Sequence, residues 1–419
     1  MNGIKILLPR LQRWALYGIA FMAVTPFFIN SIFMISWAAL LLTSIFLFPS
    51  TGGIRPIGRR VPLFLLFGGI YLLYIIGMSY SVNIPEGLRV LEVGLPILLF
   101  PFGLILCTPG GVYEKKVLKN AMGIFHLSIV VLALWIFFRY WRIGIFSEPH
   151  NGEHLRRFAA KVSGLDPDYI SFYLGFGIFL AASALVRTQR LFFRFCYGAS
   201  ILLQGSLLLL LASRSPILGT AAGCCVILFL RLKPGPIRWI LPLSLLVVLA
   251  IVIRFTPAIR YRVLEVVETP LEVPVGLQFN STNLRVGIFK CTWQLITEHP
   301  LIGIGPGSDR TLLPVCYSQF PTKAYQKPFY NAHDTYLNFW LITGLPGFLL
   351  FIGLMVYSYV IAIRHKDHPM LYLLILMSVC FLTENILTRQ AGVVFFYLFI
   401  CLMIASHGRD KGVTEPVRR

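Results

Sequence analysis

Almost the whole of this 419-residue chain is a succession of apolar runs, and the polar punctuation between them is short except at residues 255–333. That pattern constrains the fold before any motif is considered. Backbone in hydrocarbon must satisfy its own hydrogen bonds, which leaves helices or a closed barrel. The runs are too long and too uniformly apolar for barrel strands, whose residues alternate. Only 13% of residues are charged, about half the share usual in soluble proteins. The chain is therefore expected to be an all-α polytopic membrane protein.

Reading apolar runs against charge, Gly and Pro gives twelve candidate spans, near 14–29, 31–48, 61–80, 92–107, 121–138, 168–186, 192–212, 215–230, 237–253, 334–362, 368–383 and 388–406. The first reads as a retained span rather than a cleavable signal, because no small-residue cleavage site follows it. With the N-terminus in the cytoplasm, inside segments hold 21 basic residues, such as Arg55/Arg59/Arg60 and Lys115/Lys116/Lys119. The short outside turns then hold three, Arg89, Arg214 and Arg389. This asymmetry places both termini inside and the long segment outside. The expected organisation is 1–254 with nine spans, an outer loop at 255–333, 334–406 with three spans, and a cytoplasmic tail at 407–419. Topology also accounts for most of the net charge of +20, so no nucleic-acid partner is implied; the partners are membrane lipids.

Within the long segment, Leu284 to Glu298 has helical apolar spacing, with Ser281 or Asn283 as the cap and Pro300 soon after its end. Gly303-Ile304-Gly305-Pro306-Gly307 must turn. Cys291 and Cys316 both lie here; they can pair if the segment faces an oxidising compartment, although spacing alone does not bring them together.

Several residues suit chemistry at this surface. His333 follows Asn331, which is expected to cap the next helix, so a first-turn position would favour neutral imidazole and suit a general base. An interfacial histidine that only solvates a helix end fits equally well. Arg214 stands at a tight outer turn between two apolar runs, where a charge is costly and is usually paired or functional. Its guanidinium matches phosphate oxygens; a plain ion pair with Glu86, Asp166 or Glu384 is the alternative. Arg285 opens the loop helix, Arg260 and Arg262 lie just past the ninth span, and Arg156 and Arg157 occupy the other outer loop. Together they make a cationic funnel, although each alone suits a solvated charge. Glu384 and Arg389 bracket the last outer turn, with a mutual ion pair as the simplest reading. Gly344 and Gly347 share a helix face while Pro346 frees a carbonyl, which suits close packing. Zinc-ligand spacing, a Walker sequence and a dinucleotide fingerprint are missing, so neither a cofactor nor a metal is expected.

These residues resemble the O-antigen ligase family. His333, a polar residue, nine more and then Gly344 and Gly347 fit one family element; Arg214 to Leu218 fit another. Arg285 with His299-Pro300-Leu301-Ile302-Gly303-Ile304-Gly305 fits a third. The resemblance implies a GT-C-like glycosyltransferase of the bacterial inner membrane with a periplasmic site. It would move a glycan from undecaprenyl diphosphate to a hydroxyl of lipid A–core, metal-independently and with inversion. His333, Arg214 and Arg285 would be catalytic. Asp334 departs from the usual Asn, Ser or Gln, and either orients His333 or caps the helix. The likeness of residues 383–392 to a family outer-turn motif raises Glu384 and Arg389 as substrate-binding candidates. A polymerase or protein O-oligosaccharyltransferase using the same donor is the nearest alternative. A lipid-linked glycan transporter would need mid-span charges and half-to-half symmetry, which the sequence lacks.

Overall fold

A computed structural model describes residues 60–106, 112–142, 153–326 and 329–407. The expected spans 14–29 and 31–48 and the tail beyond 407 lie outside them. The described residues form α1 (Val61–Gly77), α2 (Ile84–Phe100), α3 (Val112–Arg142), α4 (Glu153–Ser163), α5 (Pro167–Arg187), α6 (Leu191–Leu211) and α7 (Arg214–Arg231). They continue as α8 (Ile237–Phe255), α9 (Pro257–Glu268), α10 (Ser281–Glu298), α11 (Asp309–Tyr317), α12 (Thr335–Arg364), α13 (His368–Phe381) and α14 (Gln390–His407). Among the described residues, eight helical segments are long and apolar enough to cross a membrane, and Ile237–Val252 and His368–Phe381 are shorter apolar helices. Two expected starts move, the span placed at 121 beginning at Val112. The span placed at 92 begins at Ile84, because Asn83 accepts from the Glu86 amide and Pro85 presets the first turn.

The core is aromatic, and α14 lies at its centre. Phe395 and Phe399 of α14 meet Phe125 of α3 and Phe176 of α5, with ring centres 5.3–5.7 Å apart. Between helices in lipid, close packing and hydrogen bonds replace the hydrophobic drive. Thus Gly219 and Gly223 seat α7 on α13. A Cβ at Gly223 would come within 2.8 Å of the Tyr372 ring, whose hydroxyl donates to the Gly175 carbonyl of α5 at 2.9 Å. This contact fixes the helix that opens with Arg214.

The long segment is pinned to the bundle by an exchange of backbone hydrogen bonds. α12 breaks at Gly344 (φ 68°, ψ −168°) and carries Pro346 just beyond. Pro346 has no N–H, and the Leu345 amide turns away to Pro300 O at 2.9 Å. The carbonyls of Leu341 and Ile342 lose their helical partners. The Gly303–Gly307 turn supplies new ones, with Ile304 N donating to Leu341 O at 2.8 Å and Gly305 N to Ile342 O at 3.0 Å. A Cβ at Gly303 would stand 2.6 Å from Gly344 N, so only glycine permits the approach. The same turn locks onto the end of α1, where Ser81 Oγ donates to Pro306 O at 2.7 Å and Tyr80 Oη to Ile302 O at 2.6 Å. Farther out, a Cys291–Cys316 disulfide, with Cα atoms 5.7 Å apart, ties α10 to α11.

Asn280 caps α10 in place of Ser281 or Asn283, accepting from Thr282 N and Asn283 N, while Asn283 Oδ1 accepts in return from Asn280 N. Two glycine substitutions should have opposite effects. Gly344→Ala forces a side chain into glycine-only backbone and is expected to cost about 1–3 kcal/mol. Gly123→Ala in α3 meets nothing within 4 Å and should gain about 0.5–1 kcal/mol. Thermal unfolding in detergent reads both; equal effects would refute the clasp.

Candidate active site

The chain returns to the membrane through residues 329–334, and the expected cap is displaced there. Asn331 Oδ1 accepts from His333 N at 3.0 Å, closing a turn, while Asp334 caps α12 by accepting from Leu337 N at 2.8 Å. His333 therefore stands before the helix rather than in its first turn, and the first-turn dipole argument does not apply. Its φ of 46° is left-handed, a conformation that costs a residue with a Cβ about 1–2 kcal/mol.

Glu384 is what holds His333. The imidazole Nδ1 lies 3.2 Å from Glu384 Oε2. With Nδ1–H donating to the carboxylate, Nε2 becomes the acceptor, and no described residue hydrogen-bonds it. The other carboxylate oxygen, Oε1, accepts from Arg285 Nη2 at 2.5 Å. Thr335 secures this arrangement, donating to Glu384 O at 2.8 Å and accepting from Ile386 N at 3.2 Å. The side chains of Arg285, Glu384 and His333 are 30%, 22% and 27% exposed. They are sheltered yet open to a ligand.

The simple pairing of Glu384 with Arg389 is thereby overturned. The Ile386–Thr388 turn, clamped by Thr335, leaves Glu384 facing α10. Arg389 instead lies over the Tyr169 ring, 4.0 Å from Asp166 and 65% exposed.

Arg214 forms a second group. Ala212, in left-handed backbone at φ 49°, turns the chain sharply out of α6. Arg214 Nη2 then pairs with Glu265 Oε2 at 2.7 Å, while Nη1 donates to Thr282 Oγ1 at 3.4 Å. The partner is none of Glu86, Asp166 or Glu384, because α9 supplies its own carboxylate beside this turn. Glu265 also accepts from Ser281 Oγ at 2.5 Å. Ser281 and Thr282 lie one helical turn before Arg285, so α10 connects the two groups.

Arg156 belongs to the turn. It donates to Leu211 O at 2.7 Å and Ser213 Oγ at 2.8 Å, and pairs with Asp168 at 3.3 Å. Its role in this structure is to hold the end of α6. Arg157 beside it is exposed, as is Arg260 on α9; the Arg262 side chain lies outside the described residues. The proposed funnel thus separates into Arg285 and Arg214, each set by a carboxylate, with Arg156 supporting the backbone between helices. Sequence reasoning missed Glu265, Asp168 and Thr282 as site residues, and weighed Ser281 only as a cap. No local signal marks them, since they matter only through contacts across the chain.

Chemically, the arrangement offers an imidazole with an open acceptor nitrogen, a carboxylate that fixes its ring, and two guanidinium groups. Each guanidinium has five N–H donors, more than its carboxylate uses, so it can take an anion as well. Asp334 is 8% exposed, and burial raises its pKa to about 6 against the two amide bonds that lower it.

Residues 199–352 match the O-antigen ligase family. The resemblance of the sequence to that family is thereby borne out, and the matched stretch contains Arg214, Arg285, His333, Gly344 and Gly347. Glu384 lies beyond it. The match supports glycan ligase- or polymerase-type activity in general. No curated protein matches the chain.

Because Asp334 holds its proton more tightly folded than unfolded, its contribution to stability is complete below about pH 4. It is lost as the pH rises through about 6. Asp334→Asn keeps a good cap and cannot ionise. The variant should match the parent near pH 4 and exceed it by roughly 2–3 kcal/mol near pH 8, read by thermal unfolding in detergent. A difference independent of pH would refute this.

Proposed function

We propose that this chain is an O-antigen ligase-type glycosyltransferase. It moves a glycan from undecaprenyl diphosphate to a sugar hydroxyl of lipid A–core, at the periplasmic face of the bacterial inner membrane. The observation that carries this reading is the Arg285–Glu384–His333 chain of contacts, with the Arg214–Glu265 pair joined to it through α10. A base with an open nitrogen and two anion-binding side chains are what displacement of a diphosphate by a hydroxyl requires.

In the proposed reaction, His333 Nε2 accepts the acceptor hydroxyl proton as that oxygen bonds to the anomeric carbon. The bond from that carbon to the diphosphate oxygen breaks, and its electron pair leaves on the diphosphate. Arg214 and Arg285 stabilise the growing negative charge. Glu384 stabilises the imidazolium through Nδ1–H, and direct displacement inverts the anomeric centre. The Cys291–Cys316 disulfide supports an oxidising compartment for this face. The 21-to-3 split of basic residues read from the sequence supports the same side.

His333→Ala and Arg214→Ala should each lower transfer from a purified lipid-linked donor by on the order of 100-fold or more. Near-normal transfer by either variant would overturn the assignment. A deletion strain separates ligase from polymerase: a ligase leaves unligated lipid-linked glycan beside bare lipid A–core. Single repeat units capping the core would indicate a polymerase instead.

A further inference from the structure

Beside His333 lies a cleft that the proposed chemistry does not use. α11 and the chain leading back to the membrane enclose about 290 Å³ there, lined by Arg310, Tyr317, Tyr325, Gln326, Phe329 and Tyr330. This is close to the lower limit for small-ligand pockets. The Tyr330 ring centre is 6.1 Å from that of His333, so the cleft adjoins the base.

Its walls are fixed. Tyr325 Oη donates to Leu284 O at 3.0 Å, anchoring the ring to α10 one residue from Arg285. Tyr317 Oη donates to Tyr330 O at 3.2 Å. Tyr317 and Tyr325 stack at 4.8 Å, and Tyr330 meets Tyr325 edge to face at 6.0 Å. The Cys291–Cys316 disulfide holds α11, which carries Arg310 and Tyr317, against α10. Arg310 lies over Phe329 at 4.1 Å and 3.8 Å from Glu86. Rigid aromatic groups are thus combined with a guanidinium and the amide of Gln326. An acyl chain would strip water from the Arg310 charge and the Gln326 amide. A pyranose ring presents an apolar C–H face to an aromatic ring and hydroxyls to the polar rim.

We infer that this cleft is a sugar-binding subsite that seats a ring of the acceptor glycan beside His333. The identification of the sugar as acceptor rests on the ligase reading. The acceptor hydroxyl must reach His333 Nε2, whereas the diphosphate belongs with Arg214 and Arg285. A ring held against Tyr330 is placed for the first of these. Tyr330 is then a positioning residue, and loss of its flat face weakens acceptor binding without altering the diphosphate site.

The probe is core oligosaccharide freed of lipid A, added to the full chain in detergent and followed by saturation-transfer NMR, which needs no turnover. Binding is expected to the parent and to His333→Ala, to fall about tenfold in Tyr330→Leu, and to return in Tyr330→Phe. That loss corresponds to about 1.4 kcal/mol. Phe329→Leu provides the same test if Tyr330→Leu does not fold. Absence of binding to the parent, or equal binding to the parent and the folded leucine variant, overturns the subsite. In transfer assays Tyr330→Leu should raise the KM for acceptor and leave that for donor; the reverse assigns the cleft to donor glycan and overturns the proposal. Tyr330-dependent sugar binding in a chain that transfers no glycan would refute the ligase reading alone. Normal transfer with binding indifferent to Tyr330 would refute the subsite alone.

Discussion

The site depends on a backbone exchange between two interruptions, the Gly303–Gly307 turn and the break of α12 at Gly344–Pro346. Each leaves polar groups that helix geometry cannot satisfy. Together they close the account, since Leu341 and Ile342 carbonyls receive the Ile304 and Gly305 amides, and Leu345 N reaches Pro300 O. In a membrane protein an unsatisfied carbonyl is expensive, so the exchange specifies one register between the long segment and α12. That register sets where α10 ends and where α12 begins, and therefore where Arg285 and His333 stand.

Glu384 has the corresponding role among the side chains. It occupies the loop between α13 and α14, and its two oxygens engage Arg285 and His333. A partly sheltered carboxylate between a guanidinium and an imidazole holds both side chains in place. Asp334, adjacent to His333 in sequence, takes the other task raised for it and caps α12. Sequence neighbours point to different places at a helix start, because only the capping residue has to face the exposed amides.

Much of the fold was legible in hydropathy. Each apolar run expected beyond residue 60 is a helix, because hydrocarbon leaves a long apolar segment few alternatives. Boundaries moved where a polar cap acted at a distance from the apolar run, as at Asn83 and Asn280. The candidate site was legible as residue types rather than as pairs. Arg214 and Arg285 stood out as charges beside apolar runs or opening a loop helix, but Glu265 looked like any loop carboxylate. Glu384 was visible and given the wrong partner, because Arg389 is near in sequence and Arg285 is not.

The sequence by itself determined the helices, the placement of polar residues between them, and the glycines and proline that break α12. These follow from local chemistry: burial of apolar side chains, missing amides, and backbone that only glycine adopts. Only the tertiary structure decided that Glu384 bridges Arg285 to His333, that Glu265 holds Arg214, and that tyrosines gather beside the base. The first two are distances between residues 51 or more positions apart, and no local preference encodes them. They are set by how α7, α10, α12 and α13 pack, which the whole chain must fold to establish.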